Sequence, residues 1–258
     1  MSKEMIILAS VGTNILRAKM ASYDKIKAQL EEHTGLEVLN VFTDDHTAEA
    51  VSTAEERVYT VEEAVEKCIR HKADMIYVVP VFMTKGELYR ELALRLDFYR
   101  DRVNIKMADA VLSDEDACRK IEAVMADIYK FDEKSFYLVV DHGNPFYHCA
   151  SNTYLQQAFD EQGYKNVKVI QLSEKDSFGQ AVAYLKANKA DETNSRVVLL
   201  PLIVAWGDYM ADALYNAQNS LMWNLRDAGF RTVFTGEGLG EHERFRKIYN
   251  ERFDELKA

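Results

Sequence analysis

His142 carries the sharpest chemical signal in the chain. It follows the apolar run Phe136–Val140 and precedes Gly143, in the order Asp141-His142-Gly143. A buried strand ending in a glycine turn leaves an imidazole free to face a site. Imidazole is the one side chain whose unperturbed pKa lies near neutrality, and it is also a common metal ligand. The plain reading of a histidine in such a place is a polar loop residue, so position alone does not make it functional. Three other residues fall at comparable places. Glu174 follows the run Val167–Leu172, Tyr209 follows Gly207-Asp208, and His148 comes after Pro145-Phe146-Tyr147. Each has an ordinary alternative: a solvated carboxylate, a packed aromatic, a loop histidine. Together, one imidazole, one carboxylate and one phenol at neighbouring strand ends have two chemical uses. They bind a divalent metal, or they move protons on and off a bound ligand.

Other chemistries are excluded by spacing. There is no HExxH, no close cysteine pair and no EF-hand loop. Gly236-Glu237-Gly238-Leu239-Gly240 follows a strand-like run but does not read GxGxxG, and it falls in the last α/β unit rather than the first. No P-loop is present, so no nucleotide is expected.

The elements that must position these residues form an α/β protein. Short apolar runs alternate with helical periodicity, the pattern of parallel strands covered by helices. Strands are expected at Met5–Val11, Glu37–Phe42, Met75–Phe82 and Val103–Val111, then at Phe136–Val140, Val167–Leu172, Val197–Val204 and Thr232–Thr235. Leu16, Met20, Tyr23, Ile26 and Leu30 make one helical stripe; Val61, Ala64, Val65 and Cys68 make another, opened by a Thr60/Glu63 capping box. A further helix is expected from Ser113, a long one over Tyr209–Ala228, and a last one from about Glu241 to Leu256. The two halves match at particular places. Ser10-Val11-Gly12 corresponds to Asp141-His142-Gly143, and Pro80 to Gly86 corresponds to Pro201 to Gly207 with the same spacing. Duplication is the natural explanation, with halves at 1–132 and 133–258. Ligands of open parallel sheets bind beyond the carboxyl ends of the strands. The loops 12–14, 43–46, 82–86, 142–148, 173–176 and 205–209 therefore form the expected rim of a cleft between the halves.

Composition fits this picture. The chain has 258 residues, 48% hydrophobic and 29% charged, with three prolines and a net charge of −10. Lysines and arginines are scattered among acidic residues, which argues against nucleic acid as a partner. The opening apolar run is too short for a signal peptide or a membrane span, and three unpaired-looking cysteines (Cys68, Cys118, Cys149) suit a reducing compartment. The expectation is a cytoplasmic protein with no membrane partner. Assembly into a homo-oligomer is compatible with the sequence and not decided by it.

In order along essentially the whole chain, these residues resemble the anaerobic sirohydrochlorin cobaltochelatases of the CbiK type. Ser10-Val11-Gly12-Thr13 resembles the family's S-F-G-T, Val41-Phe42-Thr43 its A-F-T, and Gly86-Glu87-Leu88-Tyr89 its G-D-E-Y. Asp141-His142-Gly143 resembles G-H-G, Pro201 through Asp208 resembles P-L-M-L-V-A-G-D, and Gly238-Leu239-Gly240-Glu241 with its following helix is a close match. The resemblance implies two Rossmann-like, ferrochelatase-like halves with a tetrapyrrole between them. It also implies insertion of Co(II), with Fe(II) or Ni(II) as other metals, into sirohydrochlorin during cobalamin synthesis. The family's metal ligands fall on His142, on Glu174 and, where the family has a second histidine, on Tyr209. Family members tend to carry a histidine where this chain has Phe82, and a two-residue insertion brings His148 level with another. The expected metal set is therefore His142, Glu174, Tyr209 and His148, with His142 and Glu174 as proton acceptors. Ser10, Gly12, Thr13, Phe82, Met83 and Trp206 are expected against the macrocycle, and Arg17 and Lys85 are candidates for its carboxylates. Three accounts of the altered ligand set stay open. Tyr209 serves as an oxygen ligand, His148 completes the set, or the chain is a non-catalytic tetrapyrrole- or metal-binding protein.

Overall fold

The computed structural model describes residues 3–53, 56–143, 150–173, 176–188, 190 and 195–258. Along the chain the elements are β1 (Glu4–Ser10), α1 (Leu16–Ala21), α2 (Tyr23–Thr34), β2 (Val38–Phe42), α3 (Asp45–Val51), α4 (Val61–Arg70), β3 (Met75–Pro80), α5 (Glu87–Asp97) and β4 (Asn104–Met107). They continue with α6 (Glu115–Tyr129), β5 (Ser135–Asp141), α7 (Ser151–Glu161), β6 (Val167–Gln171), α8 (Ser177–Ala187), β7 (Arg196–Pro201), α9 (Asp208–Ala211), α10 (Leu221–Asp227), β8 (Arg231–Phe234) and α11 (Glu243–Lys257).

The strands form two parallel sheets of four, ordered β2-β1-β3-β4 and β6-β5-β7-β8. Both central strands of each sheet are buried over nearly their whole length, as expected where helices cover both faces. The two sheets repeat one another in detail. Ser10 pairs with Phe42 as Asp141 pairs with Gln171. The Thr43 N–H donates to the Ser10 carbonyl and the Leu172 N–H to the Asp141 carbonyl, at 2.8 and 2.9 Å. Val81 and Leu202 repeat the same relation to Ala9 and Val140. Gly86 and Gly207 both cap the helix that follows.

Contact divides the chain into one compact unit of residues 1–111 with 240–258 and a second of residues 112–239. This differs from a division at 132/133, because two helices pack outside the half in which sequence order puts them. α6 packs on α7, where the Ser151 hydroxyl donates to the Leu112 carbonyl at 2.7 Å. α11 packs on α2 and β3, burying Phe245, Ile248, Tyr249 and Phe253 and setting the Phe253 ring edge-on to Tyr77 at 5.3 Å.

Four expected elements are altered. The stripe from Leu16 to Leu30 is broken at Ser22, so α1 and α2 are separate helices and Leu16 and Met20 stay exposed. The break is held by Lys19, a buried cation whose Nζ lies 2.9 Å from Asp24 and 3.0 Å from Glu56. A buried cation must be paired, and α1 turns to make the pair. The long helix over Tyr209–Ala228 is instead α9, a π-turn at Asp212–Asn216 and α10. Pairing in the strand expected at Val103–Val111 is confined to Asn104–Met107. The start expected at Ser113 falls one residue later, where the Asp114 carboxylate accepts from the Ala117 N–H.

Candidate functional site

β5 delivers His142. Its last residues are buried among β6 and β7, and the chain then turns at Gly143, whose φ is +69°. A Cβ there would lie 2.1 Å from Gln171 Cγ and 2.3 Å from Ser173 Oγ, so only glycine fits both the conformation and the space. The turn exposes the His142 ring. His142 Nδ1 lies 2.5 Å from the Gly143 carbonyl oxygen. A carbonyl accepts only, so Nδ1 carries the proton and the lone pair is left on Nε2. That is the usual arrangement of a ligating histidine.

β7 and the loop after it deliver Tyr209, in the first turn of α9, with Gly207 as its cap. The Tyr209 ring sits 4.3 Å from that of His142, tilted by 41°, and is 65% exposed. The structure thus brings together two of the expected ligands. Glu174 and His148 lie outside the described residues. Among the described residues no group of three His, Cys, Asp or Glu side chains converges.

Behind the imidazole, Asp141 is half-buried. Burial raises its carboxyl above the ordinary value, opposed by the hydrogen bonds from the Asn152 amide and the Gly143 N–H. Asn152 Nδ2 donates to Asp141 Oδ2 at 2.8 Å and to Gln171 Oε1 at 3.0 Å, and Gln171 Nε2 donates to Ser173 Oγ at 2.8 Å. Sequence reasoning did not single out Asn152, Gln171 or Ser173. Only the aspartate was visible, standing where the resembled motif has glycine.

Beside Tyr209, Trp206 packs on Phe234 at 4.9 Å and lies nearly parallel to Tyr215 at 6.1 Å, with Tyr215 and Phe234 5.2 Å apart. The three partly exposed rings form an aromatic surface at the ends of β7 and β8. The π-turn presents Tyr215, a placement that helical periodicity does not reveal. Gly238 closes against the backbone of this loop, since a Cβ there would lie 2.5 Å from the Val204 carbonyl oxygen.

In the first unit the corresponding strand end is apolar. Val11 stands where the second unit has His142, and Leu88 where it has Tyr209; they are 39% and 44% exposed. Gly12, at φ +100°, makes the matching turn over the Phe42 ring, and Thr13, buried, accepts from the Ile15 N–H. Ser10 is also buried, and Phe82 is only 6% exposed, packed in the core edge-on to Tyr89. These two side chains therefore back the strand ends, whereas Met83 is partly exposed. Arg17 is exposed, and Lys85 pairs with Asp109 at 2.7 Å. Among the described residues no helix is long and apolar enough to cross a membrane.

A family model described as "Cobalt chelatase (CbiK)" matches residues 4–257. No curated protein matches by sequence. Among solved structures the fold is similar to SirB from Bacillus subtilis with Fe3+, at TM-score 0.69 and 15% identity over 99% of this chain and 96% of that one. It is also similar to the sirohydrochlorin chelatase SirB from Bacillus subtilis subspecies spizizenii in complex with cobalt, at TM-score 0.59 and 16% identity over 98% and 95%. DR2241 from Deinococcus radiodurans, a multi-domain protein with structural similarity to chelatases, matches at TM-score 0.58 and 14% identity over 98% of this chain and 54% of its own.

Proposed function

The chain belongs to the CbiK cobalt chelatase family, and from that premise we propose that it inserts Co(II) into sirohydrochlorin at the strand ends of the second unit. The observation that carries the reading is the His142–Tyr209 pair, an imidazole with its lone pair on Nε2 beside an exposed phenol.

In this reading the metal is a substrate. It is taken by His142 Nε2, with Tyr209 oxygen, Glu174 and His148 as further ligands. Two pyrrole N–H protons leave as the divalent ion enters the macrocycle, so charge is conserved. Once the metal has passed on, the freed Nε2 lone pair accepts one proton and the Glu174 carboxylate the other. Oxygen donors beside imidazole also suit Fe(II), so Co(II), Fe(II) and Ni(II) belong in the same assay. The Trp206–Tyr215–Phe234 surface supplies ring faces for the macrocycle. A compartment holding reduced thiols, the cytoplasm, fits the buried thiols of Cys68 and Cys118.

The test is absorbance of sirohydrochlorin with Co(II) and purified protein, followed over many equivalents. Conversion through many turnovers, abolished in His142→Ala, is the expected result. Saturation at one equivalent would indicate a binding protein, and full activity in His142→Ala would move the site elsewhere.

A further inference from the structure

We propose that Asn152 is a positioning residue for His142, acting through a closed circuit of hydrogen bonds around the His142–Gly143 turn. The proposal rests on His142 being the reactive imidazole.

The circuit starts at the Asp141 carboxylate, which accepts from Asn152 Nδ2 at 2.8 Å. The same amide donates to Gln171 Oε1 at 3.0 Å, and Gln171 Nε2 donates to Ser173 Oγ at 2.8 Å. The Ser173 N–H then donates to the carbonyl of His142 itself, at 3.2 Å. Residues from the end of β5, the first turn of α7 and the end of β6 are thereby locked to the two atoms that bracket the imidazole.

The duplicated half shows that the turn does not need this circuit to form. Gly12 makes it at φ +100° with the apolar ring of Phe42 in the place of Gln171, and with Ser10 in the place of Asp141. Both halves have the turn; the half bearing the imidazole has the polar circuit. Its role is therefore to fix where the His142 ring points and to keep the proton on Nδ1 against the Gly143 carbonyl.

The experiment combines steady-state insertion kinetics with 15N-resolved imidazole spectra, in which His142→Ala identifies the His142 signals. Outer partners of a ligating histidine typically change activity by about 10–100-fold, so Asn152→Ala should lower kcat by about ten-fold and leave KM for sirohydrochlorin within about two-fold. The His142 ring should lose its single Nδ1–H pattern. The exchange Asp141→Asn with Asn152→Asp reverses the side-chain donors and acceptors, with the Gln171 amide flipped and the Ser173 hydroxyl donating, and leaves the backbone bond from Ser173 to His142 as it is; it should restore both readouts. Wild-type kcat and a wild-type imidazole pattern in Asn152→Ala would overturn the proposal. So would a kcat loss that leaves the imidazole pattern unchanged. Should Asn152→Ala not fold, Ser173→Ala breaks the same circuit at a loop position and carries the same two readouts. If the wild-type protein inserts no metal, the chelatase reading falls, while the imidazole spectra still decide the positioning role.

Discussion

At the scale of single residues, the proposed chemistry turns on a histidine whose tautomer is set by its own backbone. With Nδ1–H committed to the Gly143 carbonyl, Nε2 is the atom that the proposed function assigns to the metal and then to a proton. Tyr209 lies against the ring and is largely exposed, so its hydroxyl is available without unpacking a core. Ring and oxygen have separable roles. Tyr209→Phe keeps the ring beside His142 and removes the donor, and loss of one ligand or its close support typically costs about ten-fold or more. The expected outcome is an insertion rate lowered by that order with an unchanged melting temperature. An unchanged rate would assign the third ligand position to another group. The type and strand-end position of His142 and Tyr209 were legible in the sequence because both follow apolar runs, His142 just before Gly143 and Tyr209 just after Gly207-Asp208. Their closeness was expected from neighbouring strand ends, and it follows from β5 and β7 lying side by side.

At the scale of elements, local rules did most of the work. The capping box that opens α4 forms as written, with Thr60 accepting from the Glu63 N–H and the Glu63 carboxylate accepting from the Thr60 N–H. Removing it should have a plain energetic effect. Thr60→Ala should destabilise the protein by about 1 kcal/mol, read as a lower denaturant midpoint at unchanged slope. A shift near zero would mean that tertiary packing of Val61, Ala64, Val65 and Cys68 alone fixes the helix start. Local rules fail where a long-range contact overrides periodicity. α1 and α2 part at Ser22 because Lys19 is drawn to Asp24 and Glu56, and the helix after Tyr209 loosens into a π-turn. Neither is encoded in the spacing of apolar residues.

At the scale of the molecule, two copies of one sheet topology have diverged in chemistry. One presents His142 and Tyr209 at its strand ends, and the other presents Val11 and Leu88. Stability at high pH is also a whole-molecule property. Burial pushes the Cys68 thiol up to about 12, and burial also raises Tyr89 to about 12 and Tyr23 and Tyr249 further. Each is an acid whose folded state holds its proton more tightly than the unfolded chain does. Their stabilising effect is complete below the unfolded pKa values, roughly 8.5 for Cys and 10 for Tyr, and is lost as pH rises through the folded ones. The melting temperature should therefore fall progressively from about pH 9 upward, together with the appearance of tyrosinate absorbance. A melting temperature that stays level as tyrosinate forms would show that these side chains ionise in the folded protein.

The sequence by itself determined the eight strands, the internal duplication, the class of fold and the strand-end placement of His142 and Tyr209, because strand periodicity, caps and glycine turns are written in neighbouring residues. Tertiary structure alone decided that α6 packs with the second unit and α11 with the first, that Phe82 and Ser10 are buried, and that Asn152 reaches Asp141 and Gln171. Those outcomes depend on which apolar faces and which donors meet across segments far apart in the chain. A buried amide or carboxylate takes whichever partner the packed elements bring within hydrogen-bond reach.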